Sequence, residues 1–527
     1  MSEQSKNGIN RRRFIAGSAA ASGTLMLGGI APAFARGDSK RPGTPYGVAS
    51  GDVTQGEAML WSSSDAPAQM WVDISYHQDF RKHITLQGPN ALAETGFSSK
   101  LAINDLAPGQ KVFYRVRYQS LEDWQSWGEP VVGSFNTPPA VASNIRFLWS
   151  GDTAGQGWGI NEEWGGMRIY ETMRQTAPDF FIHCGDTIYA DGPLKEKVTL
   201  KNGEVWKNIV TPEKAKVAET LQEFRGNFAY NLMDKNVRAF NNEVPMIVQW
   251  DDHETVNNWY PAEVLNDERY QNEQSVALLS ARARRAFFEM NPIRSSAADP
   301  QRIYRKFHYG PLLDVFAIDM RSYRADNGAN NQTESSADTA FFGSKQILWL
   351  KQQLLASKAT WKVIASDMPI GMIVYDDWKT KSTFENMANG DGQPKGRELE
   401  MVELLRFIKQ NKIENVVWLT ADVHYTAAHY YDPNKAQFQD FEPFHEFVSG
   451  PLHAGTFGPN DMDNTFGPQV LFSKHPEGGQ INLPPSAGLQ FFGQVDIDGE
   501  SEEMKVTLKD LVGSSLYTKT LTPKKSA

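Results

Sequence analysis

Four apolar, strand-like runs in this chain each end in side chains that bind hard metal ions. Residues 145–149 lead into Ser150-Gly151-Asp152. Residues 180–182, bounded by Pro178 and broken by Gly185, lead into Asp186 and Tyr189. Residues 246–250 lead into Asp251-Asp252-His253-Glu254, and residues 415–420 into Ala421-Asp422-Val423-His424. Short continuous apolar runs read as buried strands of a parallel sheet. In open α/β sheets, ligands bind beyond the carboxyl ends of such strands. One aspartate at a strand end is ordinary, and four strands ending this way point to a shared metal site. Carboxylate and phenolate oxygens suit hard cations. The chemistry that needs this set is hydrolysis at phosphorus, where two ions roughly 3.5–4 Å apart hold a hydroxide and neutralise phosphate charge. Asp186 is the candidate bridge. Asp152, Tyr189 and His424 complete one metal site, and Asp252 and Asp422 the other. His253, next to a ligand, is placed to protonate the leaving alkoxide.

The remaining sequence supplies the frame. With 527 residues the chain is too long for one core. Residues 1–35 read as a leader: Arg11-Arg12 precede the hydrophobic pair Phe14-Ile15, a mildly apolar segment follows, and Ala33-Phe34-Ala35 offers small residues for cleavage. This looks like a twin-arginine signal, which implies a periplasmic or secreted protein and the twin-arginine translocase as a partner during export. Residues 36–44 read as a linker. Residues 45–138 carry short alternating strands separated by turns, the pattern of an immunoglobulin- or fibronectin-like sandwich. Strands and helices alternate over residues 139–522, the α/β catalytic region, and 523–527 form a tail. One continuous helical stretch is expected over 212–235, and two closing strands after 491. The formal charge of −10 makes non-specific nucleic-acid binding a poor fit. No run after the leader is long and apolar enough to span a bilayer. Cys184, the only cysteine, excludes an intrachain disulfide and reads as a small buried hydrophobe.

Together these residues resemble the calcineurin-like metallophosphoesterases, and more narrowly the alkaline phosphatase D family. The carrying motifs are Val48-Ala49-Ser50-Gly51-Asp52 with Leu60-Trp61; Gly185-Asp186-Thr187-Ile188-Tyr189; Trp250-Asp251-Asp252-His253-Glu254 with Asn257-Asn258; Asp319-Met320-Arg321-Ser322-Tyr323-Arg324; and Ala421-Asp422-Val423-His424. The resemblance implies an exported phosphatase or phosphodiesterase acting on small phosphoesters. It also implies a catalytic β-sandwich flanked by helices behind a small β-sandwich domain, with ferric iron and calcium as metals. Three departures stand out. The family's cysteine iron ligand is absent, since the corresponding run is Trp149-Ser150-Gly151-Asp152, so Asp152 is expected to take its place. Asp252 stands where the superfamily has an asparagine before the catalytic histidine. The superfamily's further metal-binding histidine would fall near Ser366, and none is there. An oxygen-only second site favours calcium, magnesium or manganese over zinc.

Several residues keep two readings. Asp251 is a candidate cap for the segment that starts at His253. Arg321 and Arg324 either touch substrate phosphate or pair with carboxylates to shape loops, and Asn257 and Asn258 are candidate substrate contacts. Asp191 reads as a turn residue, and His429, His445 and His453 as structural. Residues 376–395 form a Gly- and Asp-containing loop of the kind that serves as a lid. The alternatives to a hydrolase are a surface-binding protein with a relic metal domain and an iron oxidoreductase; no cofactor fingerprint supports the latter.

Overall fold

The computed structural model describes residues 41–525, so the expected leader and residues 36–40 of the linker lie outside the described residues. Two large mixed sheets face each other. The first runs in the order Ser515–Leu521, Met504–Asp510, Phe491–Ile497, Ile145–Ser150, Phe180–His183, Met246–Val248, Val48–Gly51, Ala58–Ser63, Ser98–Ile103. The second runs Arg305–Tyr309, Leu313–Ala317, Trp361–Ala365, Val416–Thr420, Phe444–Val448, Thr426–Tyr431, Pro468–Lys474. The central strands of each are parallel. They are apolar on both faces because both faces are covered. Phe147, Ile182 and Ile247 point inward against Val315, Val363 and Leu419 of the other sheet. Their neighbours Leu148, Phe181 and Val248 point outward beneath the helices, as the two-residue period of a strand requires.

Helices Arg168–Gln175, Leu221–Leu232, Lys235–Glu243 and Val276–Met290 cover the first sheet, burying Met173, Phe224, Phe240 and Phe287 against it. Helices Ser344–Ala356 and Glu398–Gln410 cover the second through Leu350, Leu354, Leu404 and Leu405. The result is a four-layer helix–sheet–sheet–helix core, as the family resemblance implies. The single helical stretch expected over 212–235 is instead a one-turn segment and two helices. A capping box of Thr220 and Glu223 starts the first helix. Asp234 then accepts hydrogen bonds from the N–H groups of Asn236 and Val237 and starts the second on a new axis. The carboxyl-terminal closing segment is likewise three strands rather than two.

The expected N-terminal sandwich is present, and one of its sheets is shared. Strands Ala68–Ser75, Ile84–Ala91, Lys111–Ser120 and Val131–Asn136 form a separate four-stranded sheet. It packs through Val72, Tyr114 and Val116 on Val48 and Leu60, which belong to the nine-stranded sheet. Val48–Gly51 lies parallel to Met246–Val248, with Gly51 opposite Met246. Asp52, the next residue, accepts from Arg305 Nη2 at 2.8 Å and from the Arg294 N–H at 2.7 Å, while Arg305 Nη1 donates to the Val248 carbonyl at 3.0 Å. Trp61 Nε1 donates to the Glu289 carbonyl across the same seam. No helix among the described residues is long and apolar enough to cross a membrane.

Removing one partner of a buried ion pair strands the other in a low-dielectric interior. Asp52→Ala should therefore lower the unfolding free energy by about 3–5 kcal/mol. Chemical denaturation followed by tryptophan fluorescence checks this.

Candidate metal centre

Strand register brings the donors together. Ser150 and Val248 both lie opposite His183, so three parallel strands of the first sheet end on one row. In the second sheet Ala365 lies opposite both Ala317 and Leu419. Each donor follows one of these ends on a tight turn. Asp152, Asp186, Asp422 and His424 have φ of 67°, 52°, 68° and 60°. These are left-handed conformations that cost a side-chain-bearing residue roughly 1–3 kcal/mol each. Such outliers persist where the surroundings over-determine them, and they cluster at functional sites. Close packing explains the glycines between strand and donor, within the first sheet at Gly185 and between the two sheets at Gly151. A Cβ on Gly185 would lie 2.5 Å from Asp251 Cβ, and one on Gly151 would lie 2.8 Å from Ala421 Cβ. A cysteine has no room at 151.

Three groups of potential ligands overlap, each with its ligand atoms within 4.8 Å of one another: Asp152, Asp186 and His424; Asp186, Asp252 and His253; and Asp251, Asp252 and Asp422. Asp186 is common to the first two and Asp252 to the last two. All of these side chains are buried or nearly so. The Tyr189 hydroxyl is 2.9 Å from His424 Nε2, which places it at the first group. Both carboxylate oxygens of Asp152 and one of Asp252 lack a hydrogen-bond partner. Burial, followed by the like charges of neighbouring carboxylates, pushes the pKa values of Asp152, Asp186 and Asp422 well above the usual carboxylate range. Unpartnered buried oxygens and crowded like charges are what a bound cation resolves, so the donor set fits metal ions. Burial lowers the pKa of His424 to about 4, and its Nδ1 is tied to the Gly455 carbonyl at 2.5 Å. That bond selects the tautomer whose Nε2 lone pair faces the site.

Two residues act differently from their sequence-based readings. Asp191 is more than a turn residue: its Oδ1 lies 2.7 Å from His253 Nδ1, and its Oδ2 accepts from the Asn257 N–H at 2.9 Å. Burial lowers the pKa of the His253 imidazole, but the charges of Asp191 and Asp252 and the bond to Asp191 outweigh it and lift the value to about 10. Asp251 is not a cap for His253. It pairs with Arg321 Nε at 2.6 Å and belongs to the third ligand group. The local clue to Asp191 was its place in the same loop as Asp186 and Tyr189. Nothing local pairs Asp251 with a guanidinium 70 residues away.

The remaining candidates are distributed as follows. Glu254 accepts from the N–H groups of Asp186, Thr187 and Asp251 and locks two strand ends together. Asn258 donates its N–H to Asp252 Oδ2 at 2.6 Å, and its amide reaches Asp376 at 3.3 Å. Asn257 is exposed. Arg321 is fully buried among carboxylates. Arg324 is buried over the Phe341 ring and donates to the Glu385 carbonyl. His429 is bound to Glu446 and His453 to the Gly159 carbonyl, while Cys184 is buried in the inter-sheet core.

A four-layer fold with overlapping carboxylate and histidine ligand groups at facing strand ends defines a metallophosphoesterase. The PhoD-like phosphatase model matches residues 147–508, and the model for the N-terminal domain of PhoD-like phosphatases matches residues 29–139. The chain belongs to the PhoD-like phosphatase family and is a hydrolase of phosphoric esters. It is 28% identical over 451 residues to alkaline phosphatase D of Bacillus subtilis (strain 168), covering 79% of this chain and 72% of that protein. A solved structure of PhoD superposes with a TM-score of 0.68 at 21% identity, covering 92% of this chain and 93% of that one. The purple acid phosphatase PPD1 of yellow lupin seeds has the same fold, with a TM-score of 0.58 at 13% identity over 91% of this chain and 74% of that one.

If His253 is the proton donor, Asp191→Asn should leave the metal content unchanged and lower kcat by roughly 100-fold or more. Steady-state kinetics beside elemental analysis checks it.

Proposed function

We propose that this chain is an exported two-metal phosphoesterase in which Asp186 would be held in common by the two ions and His253 would be the general acid. The observation that carries this reading is that one buried carboxylate, Asp186, belongs both to the group holding Asp152 and His424 and to the group holding Asp252 and His253. Asp152, Tyr189 and His424 would hold the first ion, and Asp252 and Asp422 the second. Asp251 stands beside this second group. When bound, the pair would supply Lewis acidity toward the phosphate oxygens and an activated water. The protein's own contribution is placement. Asp191 holds Nδ1 of His253, leaving Nε2 to deliver a proton to the departing oxygen. The Tyr189 ring lies 4.3 Å from the imidazole, centroid to centroid, and limits its movement. Substrates are small phosphomonoesters or phosphodiesters. The intact Asp191–His253 pair favours a working enzyme over a relic metal domain. Export to the periplasm or beyond, by the twin-arginine route, rests on Arg11-Arg12 and Ala33-Phe34-Ala35.

His253→Ala should lower turnover by ~100-fold or more while metal content stays near normal. The loss should shrink for esters with good leaving groups, which need little protonation. An equal loss across a leaving-group series would assign His253 to phosphate binding instead.

For the metals we favour ferric iron at the first site and calcium, or magnesium or manganese, at the second. A phenolate and two carboxylates place three anions around one ion, which favours a trivalent metal. The group of Asp251, Asp252 and Asp422 offers only carboxylates. Phenolate bound to ferric iron gives a visible charge-transfer band, and no thiolate is present to contribute to it. The purified protein should be coloured, and Tyr189→Phe should bleach it without loss of fold. Colourless wild type holding zinc, by elemental analysis of protein from its native host, would overturn the iron assignment and leave the two-metal reading standing.

A further inference from the structure

We propose that Arg321 is a built-in counter-cation of the second metal site, one that pre-positions the ligands and weakens divalent binding. The inference rests on the two-metal reading above and concerns a residue to which that reading gives no role. Arg321 has no exposure to solvent. Its guanidinium faces Asp251 at 2.6 Å, Glu385 at 2.5 Å, Asp367 at 3.6 Å, and Asp252 and Asp422 at 3.9 Å each. These contacts fall into two kinds. Asp251 accepts a hydrogen bond from Nε, and Glu385 lies at ion-pair distance from Nη2 without a hydrogen bond. Asp367, Asp252 and Asp422 lie beyond hydrogen-bond reach, so the guanidinium attracts them without occupying their lone pairs. Both oxygens of Asp367 and one of Asp252 lack a hydrogen-bond partner. A metal can therefore use Asp252 and Asp422 while Arg321 stays in place.

Two opposing consequences follow from Coulomb's law. Without metal, five buried carboxylates around one point would repel one another, and the single positive charge offsets part of that repulsion. With a divalent ion bound near Asp252 and Asp422, the same charge repels the ion across a short, poorly screened distance. The ligands are thus held ready at the expense of affinity, and the second site fills only where divalent ions are abundant. The complete burial of Arg321 argues against direct contact with substrate. A purely structural role predicts that its loss harms every property together.

The test uses protein that retains its first metal, stripped of labile divalent ions with a calcium-selective chelator and titrated with Ca²⁺ alone by calorimetry. Thermal midpoints are read without Ca²⁺. Arg321→Met should lower the calcium-free midpoint and tighten Ca²⁺ binding by about tenfold or more. These two changes have opposite sign. Arg321→Lys, which keeps the charge and loses the fork, should lower the midpoint while leaving the Ca²⁺ dissociation constant within about threefold of wild type. If Arg321→Met does not fold, Glu385→Gln supplies the test. Removing that negative charge leaves Arg321 less compensated and should weaken Ca²⁺ binding several-fold. Weaker or unchanged Ca²⁺ binding in Arg321→Met overturns the proposal, as does unchanged binding in Glu385→Gln. A raised KM with unchanged Ca²⁺ affinity would return Arg321 to substrate contact. Failure of the wild type to bind Ca²⁺, Mg²⁺ or Mn²⁺ at all would instead overturn the two-metal reading.

Discussion

Buried negative charge at the facing ends of two sheets is the constraint on which the rest of the molecule depends. Asp152, Asp186, Asp251, Asp252, Asp367 and Glu385 are all nearly or fully removed from water, and Asp422 is close behind. Carboxylates so placed either take up protons or find cations. The surroundings answer in three ways. Backbone N–H groups point at Asp252 and Glu254. Arg321 supplies one fixed charge. The unpartnered oxygens of Asp152 and Asp252 remain for a metal. The left-handed turns at the donors belong to the same account, because a relaxed strand end would point these side chains away from one another.

Much of this was legible in the sequence. Parallel strands that end in aspartate, tyrosine and histidine state where the potential donors lie, and the spacing from Asp186 to Tyr189 keeps both within one turn. Continuous apolar strand runs alternating with helical stretches point to an α/β core, and the helix-flanked sandwich follows from the family resemblance. What was not legible is what tertiary contact decides. Asp191 reads as a turn residue by local rules and gains its role only through His253, 62 residues on. Asp251 obeys a capping pattern that loses to an ion pair worth more than a cap in a buried setting. The break between helices Leu221–Leu232 and Lys235–Glu243 depends on one side chain, Asp234, whose capping bonds outweigh the helical periodicity around it.

The sequence also suggests a self-contained N-terminal sandwich, since strand patterns show which residues alternate and not which edge they join. Sheet membership is settled by pairing at long range, where register and burial compete across hundreds of residues. Here three of the N-terminal strands extend the sheet that carries Asp152, Asp186 and Asp252.

That shared sheet bears on the order in which the chain can acquire its structure. Val48–Gly51 finds its parallel neighbour at Met246–Val248, and Asp52 its partner at Arg305. The first sheet also needs Phe491–Ile497 to flank Ile145–Ser150 on its other side. An emerging chain exposes its earliest strands long before their partners exist. Closing such distant pairs is slow, because loop entropy is spent before the contacts return it. The row of potential ligands, which draws on Asp422 and His424 as well as Asp152 and Asp186, is therefore complete only when most of the polypeptide has been made.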